Sequence, residues 1–288
     1  MNTPQESSLD QEAERIVKQI GIPPCPAVLT RLLREMRSDD PDLKHIGQLI
    51  GGDVGLAASM LKIVNSPFYG LATPAGSVQQ ALMLLGLRNV GQMITGLLLR
   101  QAFPVGGNAH LERFWETSSR TSVVSALIAA ELGVAERETA YTFGLFRDCG
   151  MAVMVRKYKG YDDLMTGAAL REGGRITDIE NERYDMNHAR LGFLLARSWM
   201  LTEDLCSGVL YHHSLDALGG RRRELDPRSM QLIAVAALAE QALAAAAGET
   251  LHQEAERAAR LAALQLRVPS ATLNEFAQMA EQAEFSAA

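Results

Sequence analysis

The sequence contains few cysteines and no long apolar runs. The three cysteines among 288 residues, Cys25, Cys149 and Cys206, show no CxxC or CxxH spacing. This excludes a disulfide framework and a thiolate zinc site on spacing, and it predicts a reducing, cytoplasmic environment. The N-terminus is polar and acidic, and no stretch approaches the ~18 uninterrupted apolar residues of a membrane-spanning helix. We therefore expect no signal peptide and no membrane insertion.

The sequence also lacks an excess of positive charge. Asp and Glu number 34 against 28 Lys and Arg, which gives a formal net charge of −6. Proteins that bind along nucleic acid usually carry a broad basic surface, so nucleic acid is not the expected partner. Apolar residues make up 47% of the chain, enough to build the core of one large domain or two coupled smaller ones.

Apolar residues recur with helical period along nearly the whole chain, and no strand-like alternation or Asn-Gly hairpin signal interrupts them. Helix starts are predicted by capping residues, and Gly86 is expected to end one helix. The predicted starts are Asp40-Pro41, Asp53, Ser77 with Gln80, Thr202, Asp226-Pro227 and Thr272 with Glu275. The sequence therefore predicts an all-α protein.

The segment PVGGNAH, at 104–110, is the best candidate boundary between two helical lobes, because it combines proline with a glycine pair. With this boundary, the predicted N-terminal lobe spans 15–104 and the C-terminal lobe 105–288. The polar residues 1–14 are predicted to form a tail.

Three groups of residues could carry chemistry. The helix pair at 43–65 resembles helix-turn-helix, but its second helix offers only Lys62 and Asn65 for contacts with DNA. Two core helices packing at an angle explain the pair better. A basic loop could bind a phosphate or an acidic partner surface, although such runs are often solvated. It contains Arg221, Arg222 and Arg223.

The third group has the ligand types of a divalent metal site. The group contains Asp148, His188 and the adjacent pair His212-His213 on one predicted helix. Histidines and a carboxylate from different helices of a bundle can converge on one ion. Spacing alone leaves structural or surface roles for these histidines equally open.

Three segments resemble the opening lobe of HDOD domains: IPPCPAVLTRLLREM, LIGGDVGLAASMLKIVNSPFYGL and SVQQALMLLGLRNV. The second half adds Phe114-Trp115, GLFRDCG at 144–150, His188 with Gly192, Trp199 and the double histidine. The resemblance covers residues 20–245 and implies an all-helical protein whose second lobe is related to the HD phosphohydrolases, including the HD-GYP type that hydrolyses cyclic dinucleotides.

The resemblance also assigns positions of a metal site. In those enzymes a first His, a His-Asp pair and a distal Asp bind metal, with extra histidines in the HD-GYP form, and the metal activates a water. The remnant ligand positions here are Asp148, His188, His212, His213 and Glu240, and the altered positions are Thr117 and Arg147.

Whether the resemblance implies metal-dependent hydrolysis depends on Arg147. Its guanidinium stays protonated, so it would repel a metal ion and could pair with Asp148 or Glu240 instead. HDOD domains commonly lack the complete ligand set and are regarded as signalling modules. The resemblance therefore implies a non-catalytic regulatory protein with no metal and no cofactor.

We expect such a module to bind a protein partner of a signalling pathway, with a nucleotide-type ligand or a second copy of the chain as alternatives. Phe68 and Tyr69, in the turn NSPFYGL, and the arginine loop at 221–223 are the candidate interaction surface. Packing of that turn against the second lobe is the alternative. The competing functions are a metal-dependent phosphohydrolase and a DNA-binding regulator using residues 43–65.

Overall fold

The computed structural model describes residues 21–66, 69–165, 175–219 and 225–287, with side chains described as far as residue 283. Every regular element in these ranges is a helix, so the predicted all-α class is confirmed. In chain order the helices are α1 (Ala27–Met36), α2 (Leu43–Gly51), α3 (Val54–Val64), α4 (Val78–Ala102), α5 (Ala109–Leu132), α6 (Arg137–Phe146), α7 (Cys149–Lys157), α8 (Asp162–Met165), α9 (Ile176–Tyr184), α10 (His188–Ser198), α11 (Glu203–Tyr211), α12 (Leu215–Leu218), α13 (Pro227–Ala246), α14 (Gln253–Leu266) and α15 (Ser270–Ala287).

We call α1–α4 the first lobe and α5–α15 the second lobe; the division into two lobes itself stays a prediction. In the first lobe, α1, α2 and α3 each contact α4. In the second lobe, α13 contacts α5, α6, α11, α14 and α15, and α7 packs along α10. The segment predicted as the lobe boundary lies between α4 and α5 and runs into the first turn of α5.

The lobes meet where α4 packs against α6. A Cβ atom added at Gly96 of α4 would lie 2.6 Å from Leu145 Cδ2 of α6, so glycine permits this close approach. The indole nitrogen of Trp199 also donates a hydrogen bond to the Pro23 carbonyl, at 3.1 Å. The segment before α1 is thereby held against the second lobe.

Several predicted helix starts are confirmed by side-chain hydrogen bonds. Asp53 accepts from the Leu56 amide, Ser77 from the Gln80 amide and Asp226 from the Arg228 amide. Gly86, with φ 79°, breaks the helical geometry inside α4 as predicted.

Three predicted caps differ from the structure. Asp42 rather than Asp40 caps α2, because its carboxylate reaches the Lys44 and His45 amides. Thr202 precedes α11, but its side chain makes no capping bond. Thr272 lies inside α15, which already begins at Ser270, so the capping box predicted there is wrong.

Two helices, α4 and α13, are long and apolar enough to cross a membrane by length and composition. Within their most apolar windows, 50% and 61% of the residues are buried inside the protein. Burial against neighbouring helices accounts for this hydropathy, as in core helices.

The crossing of α7 and α10 brings two backbones into contact. A Cβ atom at Gly150 would overlap the His188 carbonyl oxygen and lie 2.6 Å from the Gly192 nitrogen. Because both obstacles are backbone atoms, neither can move aside without separating the helices. This glycine contact sets the distance between the residues at the starts of α7 and α10.

We predict that Gly150→Ala lowers the free energy of unfolding by about 3 kcal/mol, because an added methyl group must push α7 away from α10. Gly51→Ala is the control, since a Cβ there meets nothing within 4 Å; it should change stability by no more than about 1 kcal/mol. Urea unfolding measures both. Equal effects of the two substitutions would contradict the prediction.

Candidate metal centre

Four side chains from three helix ends converge on one point. Asp148 precedes α7, His188 opens α10, and His212 and His213 follow α11. One potential ligand atom from each of the four lies within 4.8 Å of all the others. The structure therefore brings together four of the five remnant positions inferred from the sequence.

The histidine Nε2 atoms face each other at short distances. His188 Nε2 lies 3.3 Å from His212 Nε2 and 3.0 Å from His213 Nε2. Asp148 Oδ1 lies 3.1 Å from His212 Nε2 and 3.5 Å from His188 Nε2.

The other ring nitrogen of each histidine faces an acceptor. His188 Nδ1 lies 2.8 Å from Glu180 Oε2, and His212 Nδ1 lies 2.7 Å from the Val209 carbonyl. His213 Nδ1 lies 3.1 Å from Glu254 Oε1. A neutral histidine with a donor at Nδ1 has a lone pair at Nε2, so three lone pairs point toward one another beside a carboxylate. Such an arrangement requires a positive charge at its centre, either a proton or a metal ion.

Without a metal ion, His188 is the group that holds this positive charge. Burial would lower the pKa of His188, but Glu180 and Asp148 raise it to about 9. Burial and the adjacent His213 lower the pKa of His212 to about 3. A proton on His188 Nε2 then faces the lone pairs of His212 and His213 and the carboxylate of Asp148.

Glu180 anchors the cluster from behind. Its side chain is fully buried on α9 and accepts from the His188 amide and from the Tyr161 hydroxyl. Burial would raise the pKa of Glu180, but the charge and hydrogen bonds of His188 lower it. Carboxylates in this outer position orient metal-binding histidines in many proteins. Glu180 is not among the predicted site residues, because it lies on a separate helix and nothing in its spacing along the chain marks it.

Arg147 occupies the side of Asp148 that faces α13. Its Nη2 lies 2.6 Å from Asp148 Oδ2 and 2.8 Å from Glu240 Oε1, and its side chain is only 10% exposed. Burial would raise the pKa of Asp148, but the guanidinium together with His188 and His212 holds it well below its usual range. Arg147 therefore points inward and binds both carboxylates, the arrangement considered in the sequence analysis.

A cavity of about 400 Å³ opens over the cluster. Thr117 of α5 lines it together with Arg147, Asp148, His212 and Glu240. Thr117 is exposed and offers a hydroxyl where the family pattern has an imidazole. The expected positions other than the fully buried His188 thus line one cavity, although Thr117 and Glu240 do not join the four-residue cluster.

The donor set fits one divalent ion and does not fit a pair. Three imidazoles and a carboxylate match the preference of Zn²⁺ and similar ions, and the outer carboxylates at His188 and His213 complete such a site. A second ion beside the first would need the carboxylates of Asp148 and Glu240. The Arg147 guanidinium already neutralises both of them. The resemblance implies that no metal is bound, whereas this donor set suits one ion. Only a measurement of metal content distinguishes the two.

The other candidate residues contribute little to this centre. Phe68 and Arg221, Arg222 and Arg223 lie outside the described residues. Tyr69 is half-buried, and the Arg137 guanidinium of α6 lies 5.9 Å from its ring centre, so it packs toward the second lobe. In the proposed DNA-reading helix, the Asn65 amide bonds both backbone groups of Ala75 and is not available to a base.

Comparisons with known proteins identify the architecture. A family model described as the HDOD domain matches residues 22–215. A protein of Treponema pallidum (strain Nichols) is 25% identical over 213 residues, which cover 67% of this chain and 38% of that protein. This chain therefore spans well under half the length of that relative.

Solved structures show the same fold at low identity. A Shewanella amazonensis protein with a provisional phosphohydrolase name has a TM-score of 0.69 at 20% identity, covering 92% of this chain and 93% of that one. An HDOD domain protein with unknown function from Geobacter sulfurreducens has a TM-score of 0.62 at 20% identity, covering 94% and 96%.

Removing the Arg147 guanidinium should destabilise the protein strongly, because it leaves the carboxylates of Asp148 and Glu240 facing each other without a counter-charge. We predict a loss of about 3 kcal/mol for Arg147→Ala in metal-free protein. Arg88→Ala is the control: Arg88 pairs with Glu136 at 2.6 Å on the exposed surface, and its loss should cost less than about 1 kcal/mol. Chemical denaturation measures both, and similar losses for the two variants would contradict the prediction.

The raised pKa of His188 predicts a pH dependence of stability. The pKa rises from 6.5 to about 9 on folding, so the stabilisation is fully present below pH 6.5 and is lost as the pH rises through about 9. The midpoint temperature of thermal unfolding, measured in the presence of EDTA, should therefore fall as the pH rises from 6.5 to about 9. His188→Gln lacks the titrating ring and should give a flatter profile; parallel profiles would refute the assignment.

Proposed function

This chain belongs to the HDOD domain family, and we propose that it is a non-catalytic signal-transduction module that acts by binding a protein partner or a small ligand. The observation that carries this proposal is the ion-paired guanidinium of Arg147. It lies where metal-dependent hydrolysis would need a second metal ion or its ligand.

Hydrolysis by a pair of metal ions needs both the attacking and the leaving oxygen to be stabilised. Asp148 and Glu240 are the carboxylates available for a second ion, and Arg147 contacts both at hydrogen-bond distance. An ion entering there would have to displace a buried guanidinium and would then lie beside its charge. That electrostatic cost argues against binding of the second ion.

A single ion at Asp148, His188, His212 and His213 fits a regulatory role. When bound, such an ion supplies Lewis acidity to one oxygen ligand. The protein groups around it do the positioning: Glu180 and Glu254 orient two imidazoles, and the Val209 carbonyl orients the third. Because the four ligands come from three helix ends, occupancy would stabilise the packing of α7, α10 and α11.

The alternative is a metal-dependent phosphohydrolase acting on a nucleotide or cyclic dinucleotide. Its specific support is the same four-residue cluster, together with the provisional name of the Shewanella amazonensis protein. It requires either one ion to suffice for catalysis or Arg147 to move away. These two readings make opposite predictions for turnover.

We predict that the protein, loaded with Mn²⁺ or Zn²⁺, hydrolyses bis-p-nitrophenyl phosphate no faster than a metal-loaded Asp148→Asn control. Mass spectrometry of metal content should find a single ion per chain. In the combined variant Arg147→His and Thr117→His, a second ion should bind, because two imidazoles replace the repelling charge. Turnover by the unaltered protein that Asp148→Asn abolishes would overturn the regulatory proposal.

A further inference from the structure

A second and larger cavity, of about 730 Å³, lies between the two lobes. Helices α3 and α4 form one wall, and α5, α6 and the segment between α4 and α5 form the other. The side chains lining it are mostly apolar, among them Ile63, Leu97, Val105, Val123 and Leu145. Its size and its position between packed units are those of small-molecule sites.

The charges of this cavity have one sign. Lys62 of α3 and Arg100 of α4 are exposed side chains that line it, and no carboxylate occurs among the described residues of its lining. Lys62 is the residue considered above for contacts with DNA. The structure places it beside an apolar cavity, where a positive charge suits an anionic group attached to an apolar body.

Four hydroxyl groups and one amide complete the polar part of the lining, from Ser59, Ser66, Ser119, Tyr141 and Gln101. Tyr141 of α6 and Ser119 of α5 both contribute to it. Burial raises the pKa of Tyr141, and a hydrogen bond with Ser122 and the charge of Arg100 oppose that rise only in part. The Tyr141 hydroxyl therefore stays protonated and is already bonded to Ser122.

We propose that the interlobe cavity binds a small amphipathic organic anion, with its carboxylate-type head near Lys62 and Arg100 and its apolar body against Ile63, Leu97 and Val123. This inference rests on the proposed function, since it locates and describes the small ligand of the module. The site lies apart from the Asp148 cluster and shares none of its lining residues.

The position of the cavity explains how such a ligand could act. Lys62 and Leu97 belong to the first lobe, and Val123 and Tyr141 belong to the second. A ligand that contacts both lobes favours the arrangement in which both sets of contacts form. Gly96 of α4 and Leu145 of α6 pack closely in the same lining, so a ligand there lies beside the contact between these two helices.

Octanoate and its uncharged analogue 1-octanol are the probes, because they share an apolar chain and differ in the head group. In isothermal titration calorimetry the unaltered protein should bind octanoate about tenfold more tightly than 1-octanol. The double variant Lys62→Gln and Arg100→Gln should lose that preference. The matched control is Arg113→Gln with Arg228→Gln, which removes the same charge from exposed positions outside this cavity and should keep the preference.

A third variant separates the cavity from general charge attraction. Ser59→Trp places a large ring in the cavity lining and should abolish binding of both probes, while circular dichroism verifies that the helices remain. Failure of the unaltered protein to bind octanoate, or octanoate binding that survives Ser59→Trp or the Lys62 and Arg100 substitutions, would overturn the inference. None of these results would contradict the proposed function. That function is overturned by phosphodiester turnover that Asp148→Asn abolishes.

Discussion

The guanidinium of Arg147 is the charge around which the second lobe is organised. It bonds Asp148 beside it on the chain and Glu240 on α13. This permanent cation neutralises two buried or half-buried carboxylates at all times. An exchangeable metal ion would neutralise them only when it is bound. A guanidinium supplies the charge and fixed donor directions, but it cannot polarise a water molecule as a metal ion does. In this HDOD domain, Asp148 and Glu240 are therefore neutralised without a metal ion between them.

The histidine cluster imposes a second electrostatic constraint on the other side of Asp148. Its outer partners direct three Nε2 lone pairs inward, and a proton or a metal ion must balance them. The proton and the ion compete for the same place, so the cluster couples metal binding to pH. The glycine contact between α7 and α10 sets the spacing of this cluster, since it brings the backbone of His188 and Gly192 against Gly150, which follows Asp148 on the chain.

The interlobe cavity and the metal centre belong to different parts of the same fold. The metal centre lies within the second lobe, whereas the cavity depends on both lobes at once. A ligand in the cavity would act on the relation between lobes, and an ion in the cluster would act on the packing inside one of them. The two sites could therefore respond to separate signals.

Local features of the fold could be read directly from the sequence. The helical class, the caps at Asp53, Ser77 and Asp226 and the break at Gly86 depend on neighbouring residues, whose interactions the sequence order already specifies. The misplaced caps near Asp40 and Thr272 arose because alternative capping residues lie within a few positions of each other. The metal-type residues at 148, 188, 212 and 213 could be named from their chemistry and from the family resemblance.

Only the tertiary structure decided how those residues meet. The sequence determined that Arg147 carries a permanent charge, but its inward direction depends on the approach of α13 and Glu240. Glu180 and Glu254 acquired their roles because α9 and α14 pack behind the histidines, and no spacing along the chain encodes such a distance. Lys62 likewise gained its place beside an apolar cavity from the packing of one lobe on the other. Contacts between residues far apart in sequence depend on how many helices pack together. A local sequence pattern therefore cannot predict them.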